Sequence, residues 1–134
     1  MYRYVSLVAA MLLLAVASLS PVSAGTQVLT TGSFTLLGTP SVVNIGAFGP
    51  TGQSVWKNNL NATTLGLVVL VLRASTGQTI YYSIGTITPS PGANSTAYNT
   101  IFGVPSGTYS ATWFVMSAGW VAMSTPTTVS ITFV

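Results

Sequence analysis

The 134-residue sequence contains no Asp, no Glu, no His and no Cys, and only Arg3, Lys57 and Arg73 carry charge. Without carboxylates, imidazoles or thiols the chain lacks the usual groups for general acid–base catalysis, for nucleophile activation by an adjacent base and for metal ligation. No catalytic residue, cofactor or metal site is therefore expected. The absence of cysteine also excludes disulfides, so the fold must be held by packing and hydrogen bonds or by contacts between molecules. Three separated cations make neither a patch nor a run, so the high isoelectric point reflects missing acids and gives no reason to expect nucleic-acid binding. An acidic medium is one setting in which carboxylates would contribute little, since surface Asp and Glu are neutral below about pH 4.

What remains is apolar and hydroxyl-rich. The hydrophobic share is 49%, with thirteen Gly and seven Pro, a composition that suits one compact domain with a core. Residues 1–24 read as a cleavable signal peptide: Arg3 near the start, an apolar stretch from Leu7 to Leu19, Pro21, and small residues ending at Ala24. That stretch is shorter than the ~20 residues of a membrane-spanning helix. After cleavage the mature chain would begin at Gly25 with Lys57 and Arg73 as its only charged side chains, and no membrane association is expected of it.

Over residues 25–134, apolar residues alternate with Ser and Thr, and Gly, Pro or Asn interrupts them about every dozen residues, the pattern of an all-β sandwich. Strands are expected over Thr26 to Leu37, Ser41 to Phe48, Ser54 to Lys57, Thr63 to Ala74, Thr79 to Thr88, Thr96 to Phe102, Thr108 to Ser117, Trp120 to Ser124 and Thr127 to Val134. The last is the most regular: Val129, Ile131 and Phe133 share one face and Thr128, Ser130 and Thr132 the other. "LGLVVLVLR" at residues 65–73 does not alternate, which fits a central strand covered on both faces, its outer face by a loop, a glycan or another subunit. In "VPSGTYSATWF", Tyr109 stands two residues before Ala111, where the strand F disulfide cysteine of an immunoglobulin-like sandwich would be, and Trp113 continues that face.

Two sequons, Asn61-Ala62-Thr63 and Asn94-Ser95-Thr96, fall where loops are expected, and export would make Asn61 and Asn94 acceptors for N-linked glycans. Three other features point to chemistry weakly. Ser54 and Lys57 match an S-x-x-K pattern, but neither S-D-N nor K-T-G accompanies it. Lys57 beside Asn58 and Asn59 suggests an isopeptide cross-link, yet no carboxylate exists to move the proton. Tyr81, Tyr82, Tyr98, Phe102, Trp113, Phe114 and Trp120 suggest a sugar-stacking platform, although a sandwich of this size buries about half of its aromatics.

The first mature segment, "GTQVLTTGSFTLLG" at residues 25–38, reads as a strand with no hairpin partner beside it. Val28, Thr30, Gly32, Phe34 and Leu36 make its more apolar face. Extended, thirteen residues at ~3.3 Å each reach about 40 Å, enough to cover an open groove on a neighbour. A strand inserted from the next copy completes such a groove by main-chain pairing, and head-to-tail repetition of that contact makes a filament.

The cleavable signal, donor-like segment, small β domain ending in "TTVSITFV", paired sequons and near-absence of charge together resemble the subunit of the archaeal thread, a glycosylated surface filament of thermoacidophiles. The resemblance covers the chain in layout and composition. It implies an extracellular cell-surface filament that polymerises with itself by donor-strand complementation. It further implies N-linked glycans, and surfaces or neighbouring cells as adhesion targets. The expected organisation is a signal peptide over 1–24, a donor strand and linker over 25–38, and an immunoglobulin-like pilin domain over 39–134. The rival reading keeps residues 25–37 in their own sandwich and makes the protein a monomeric or lattice-forming adhesin. A viral coat subunit and a protein anchored by an uncleaved N-terminus are further alternatives.

Overall fold

A computed structural model describes residues 28–44 and 49–134. The signal peptide and the first three residues of the expected donor segment lie outside the described residues. Seven strands follow one another: β1 (Phe34–Asn44), β2 (Pro50–Asn58), β3 (Gly66–Arg73), β4 (Thr79–Ile87), β5 (Asn94–Thr100), β6 (Gly107–Met116) and β7 (Thr127–Phe133). They form two antiparallel sheets, ordered β1-β2-β5 and β4-β3-β6-β7, with no helix among the described residues. The protein is all-β, as the alternation of apolar and hydroxyl residues implies.

The two sheets face each other across Phe34, Trp56, Val68, Leu70, Leu72, Ala97, Trp113 and Val115, all buried. Because side chains alternate along a strand, the inward set of β2 is Gly52, Ser54, Trp56 and Asn58, while Gln53, Val55 and Lys57 face outward. Burying one large apolar side chain contributes about 1.5–3 kcal/mol, so this central layer stands in for the absent disulfides. Of the two indole N–H groups in it, that of Trp56 donates to Ser54 Oγ at 2.7 Å, and that of Trp113 is buried without a hydrogen-bond partner.

Strand β3 lies between β4 and β6 and is covered on both faces, which explains its unbroken apolar run. Val68, Leu70 and Leu72 enter the inter-sheet core. Val69 and Val71 join Phe114, Met116 and Ala122 in a second cluster, with Leu67 packed against it. Ala122 belongs to the β6–β7 connection, so a loop supplies part of the outer cover that the sequence calls for.

Three expected strands differ. Thr26 to Leu37 and Ser41 to Phe48 are expected as separate strands on either side of the "GTP" at 38–40, but β1 runs through it from Phe34 to Asn44, with residues 45–48 outside the described residues. Trp120 to Ser124 forms no strand. It makes a single antiparallel bridge, Met116 to Ala122, after a tight turn in which Trp120 N–H donates to Ser117 O and Ser117 N–H to Val121 O. Trp120 holds φ 62, the one non-glycine residue with positive φ among those described, and that reversal turns the chain back toward β6.

At the start of β6, the Tyr109 hydroxyl donates to Pro105 O at 2.7 Å. Tyr109, Ala111 and Trp113 are all buried on one face, as read from the sequence.

Candidate functional site

The sandwich has two long edges, and they differ. On one, β4 and β5 are drawn together. Asn99 on β5, fully buried, donates through Nδ2 to Val68 O at 2.9 Å and to Ser83 O at 3.1 Å, and the Tyr81 hydroxyl on β4 donates to Thr100 O at 3.1 Å. Gly85 permits the approach, since a Cβ there would lie 2.5 Å from Tyr98 O. This edge is closed.

On the other edge β1 and β7 are the outermost strands of their sheets and do not pair with each other. Between them a groove of about 360 Å³ opens among Thr31, Gly32, Leu36, Gly38, Ser124 and Thr127. Leu36 and Val42 of β1 and Val129, Ile131 and Phe133 of β7 pack on the core from this side while remaining only partly buried. The alternation in β7 that marked it as half-buried has this seam as its cause: Val129, Ile131 and Phe133 reach inward from an edge strand while Ser130 and Thr132 stay in solvent.

Strand β1 consists of two separately registered halves. Phe34 to Leu37 pairs with Asn58 to Val55 of β2, and Ser41 to Asn44 pairs with Gln53 to Pro50. Four steps along β1 from Leu37 to Ser41 match only two along β2, so the ladder breaks at Gly38-Thr39-Pro40. Gly38 holds φ 71, a conformation that favours glycine, and Pro40 has no N–H to give to a ladder.

The expected donor residues divide at Phe34. Val28, Thr30 and Gly32 are exposed and precede the strand. They belong to a turn in which Ser33 N–H donates to Thr30 O, Thr30 N–H to Ser33 Oγ and Gly32 N–H to Thr30 Oγ1. Asn59 clamps this turn, donating through Nδ2 to Gly32 O at 3.0 Å and to Thr35 Oγ1 at 2.7 Å. The strand expected from Thr26 is thus a turn over residues 30–33, because Thr and Ser hydroxyls take the backbone N–H groups a ladder would use. Phe34 and Leu36 lie within the sandwich. Phe34 is 2% exposed, and its N–H donates to Met123 O at 2.7 Å.

The sequons share the pole at which the N-terminal segment enters, and buried Asn58 joins their loops. Its Nδ2 donates to Ala62 O and to Pro89 O, both at 2.9 Å, and its Oδ1 accepts the N–H of Leu60. Gly92 N–H donates to Asn58 O. Sequence reasoning missed Asn58 as this hub, and nothing but its place between Lys57 and a second Asn marked it. Asn61 is exposed in the β2–β3 connection. Asn94, expected in a loop, is the exposed first residue of β5, opposite Lys57.

The weaker motifs come apart. Ser54 is buried and accepts from Trp56, whereas Lys57 is exposed on the opposite face of the same strand. Asn58 and Asn59, the cross-link candidates beside Lys57, are engaged in the loop and turn just described. Among the aromatics, Trp113 and Phe114 are buried and Tyr81 is partly so. The exposed ones are scattered: Tyr82 on β4, Tyr98 on β5, Phe102 in the β5–β6 connection and Trp120 in the β6–β7 turn.

No family model matches the chain, and no curated protein matches it. The class established by the fold is a two-sheet antiparallel β-sandwich of three and four strands. Among the described residues no helix is long and apolar enough to cross a membrane.

Proposed function

We propose that this protein is an exported, N-glycosylated, immunoglobulin-like subunit of an extracellular filament, and that copies join by passing the segment before Gly38 into the next copy. The division of β1 at Gly38-Thr39-Pro40 carries the reading. The half before the break contributes Phe34 to the core, and the half after it holds its own register on β2. With Gly38 as hinge, Phe34 to Leu37 closes its own core in a single chain or the core of a neighbour in a filament. The contacts are the same in both cases, which makes exchange a low-cost route to assembly. The open seam beside β7 leaves main-chain edges available on the same side. The strand order and the Tyr109 hydrogen bond support the immunoglobulin-like assignment. The reading agrees with the resemblance to the archaeal thread and with a chain almost without charge, whose surface would be solvated by hydroxyls and sugar.

The cis pairing of Phe34 to Leu37 with β2 favours the second reading, a self-contained surface adhesin. One experiment separates them. Thr35 and Lys57 are cross-strand partners, close enough in an antiparallel ladder for a disulfide, and the sequence contains no other cysteine. In surface material from cells producing the T35C/K57C double variant, exchange gives a covalent ladder on a non-reducing gel. A single monomer band, with the cysteines oxidised, refutes exchange and leaves the adhesin.

A further inference from the structure

We propose that the two sequons are modified in a fixed order relative to folding: Asn94 receives its glycan only before β5 docks on β2, whereas Asn61 remains an acceptor in the folded domain. The inference rests on the exported, N-glycosylated reading above and adds to it the state of the chain that the transferase must meet.

In the transfer, the asparagine Nδ2 bonds to the anomeric carbon of a lipid-linked oligosaccharide. The carbon–oxygen bond to the lipid pyrophosphate breaks, its electron pair leaves with the pyrophosphate, and the proton lost from the amide nitrogen passes to a base of the transferase. The Asn carboxamide and the hydroxyl two residues on must be held together in the enzyme, so the intervening backbone has to leave any ladder it belongs to.

The folded sandwich meets this requirement at one sequon only. Asn61, Ala62 and Thr63 are all exposed and lie outside the strands. Asn94, Ser95 and Thr96 pair in register with Lys57, Trp56 and Val55 of β2. Trp56 is fully buried, so freeing Ser95 from it opens the core. The outer edge of β5 is no easier to release, because Asn99 and Tyr81 fasten it to β3 and β4. Once attached, a glycan on Asn94 does not hinder folding, since that side chain is exposed on the outer face of the three-stranded sheet.

The test uses unglycosylated full-length chain, a lipid-linked oligosaccharide and a purified single-subunit oligosaccharyltransferase, with occupancy at each sequon read by mass spectrometry of glycopeptides. Folded protein is compared with two variants in which β2 and β5 cannot pair, Gly52→Trp and Ser54→Pro, both checked by loss of near-ultraviolet circular dichroism. The Gly52 position has no room, a Cβ there lying 2.8 Å from Leu70 Cδ2, and Ser54→Pro removes a ladder N–H on the β5 side, opposite Ala97. In the folded protein, Asn94 should be modified more slowly than Asn61 by at least roughly tenfold, because only the locally opened fraction reacts. In both variants the two sites should react at similar rates. Equal rates in the folded protein, or an Asn94 that stays slow in the variants, overturn the order. No transfer at either sequon in any of the three proteins overturns the glycosylation reading itself.

Discussion

Asn99 on β5 donates through Nδ2 to Val68 O of β3 at 2.9 Å, so a fully buried amide ties the edge of one sheet to the middle of the other. The same nitrogen donates to Ser83 O at 3.1 Å. We expect Asn99→Ala to lower unfolding stability by about 2–3 kcal/mol in denaturant titration, through two lost hydrogen bonds and a small cavity. Asn99→Asp should behave differently with pH. A carboxylate facing two carbonyls in the interior has its folded pKa raised above the unfolded value of about 3.9, so its protonated form is the one the fold accepts. The variant should be most stable below the unfolded pKa and lose stability as pH rises through the folded one. Denaturation of Asn99→Asp at pH 3 and pH 7 checks the sign, and equal stability relative to wild type at the two values would refute it.

Gly85 should not tolerate even a methyl group. The atom its Cβ would meet is the main-chain oxygen of Tyr98, which cannot swing aside as a side chain can. Gly85→Ala should therefore push β4 from β5 and cost about 1–3 kcal/mol. Thermal melts of Gly85→Ala and Gly66→Ala make the comparison, since a Cβ at Gly66 meets the side chains of Val115, Ile87 and Phe34. A smaller loss at Gly85 than at Gly66 would contradict this account of the closed edge.

The Tyr109 hydroxyl is committed to Pro105 O, and its ring meets Phe133 edge-on with centroids 5.8 Å apart. Tyr109→Phe keeps the ring contact and removes only the hydrogen bond. We expect a loss of about 1 kcal/mol in equilibrium unfolding, against about 3 kcal/mol or more for Tyr109→Ala, which removes the ring as well. Equal losses in the two variants would mean that the ring contributes nothing.

Much of the sandwich is legible in the sequence because its edges are wet and its center is dry. Alternation identified β7 through Val129, Ile131 and Phe133, and the unbroken run from Leu67 to Leu72 marked the strand covered on both faces. The pairing of sheets was not legible: nothing local to Asn99 announces bonds to Val68 and Ser83, residues distant in the chain. The turn over residues 30–33 was hidden for a different reason. Thr30 and Ser33 fit an alternating pattern by position, and only their hydroxyl contacts to backbone N–H groups reveal that they work against a ladder. For the candidate site, the sequence supplied both sequons and a boundary at residue 38. It could not supply Asn58, because a buried asparagine bonded to the carbonyls of Ala62 and Pro89 looks the same in sequence as an exposed one.

Gly32→Trp separates folding from assembly. In the single chain Gly32 is exposed, and a Cβ there would have only Thr30 Oγ1 nearby, at 3.6 Å. An indole can therefore point into solvent, and unfolding stability should change by less than about 0.5 kcal/mol. Under the proposed exchange the same residue would precede Phe34 on its way into the neighbour, where a large ring would overfill whatever holds it. Purified Gly32→Trp should melt like the parent chain, while electron microscopy of cells producing it should show filament yield reduced by about tenfold or more, a loss of packing worth 1.4 kcal/mol or above per contact. Unchanged filaments would place residues 25–33 outside the contact between copies and confine the exchanged element to Phe34 through Leu37.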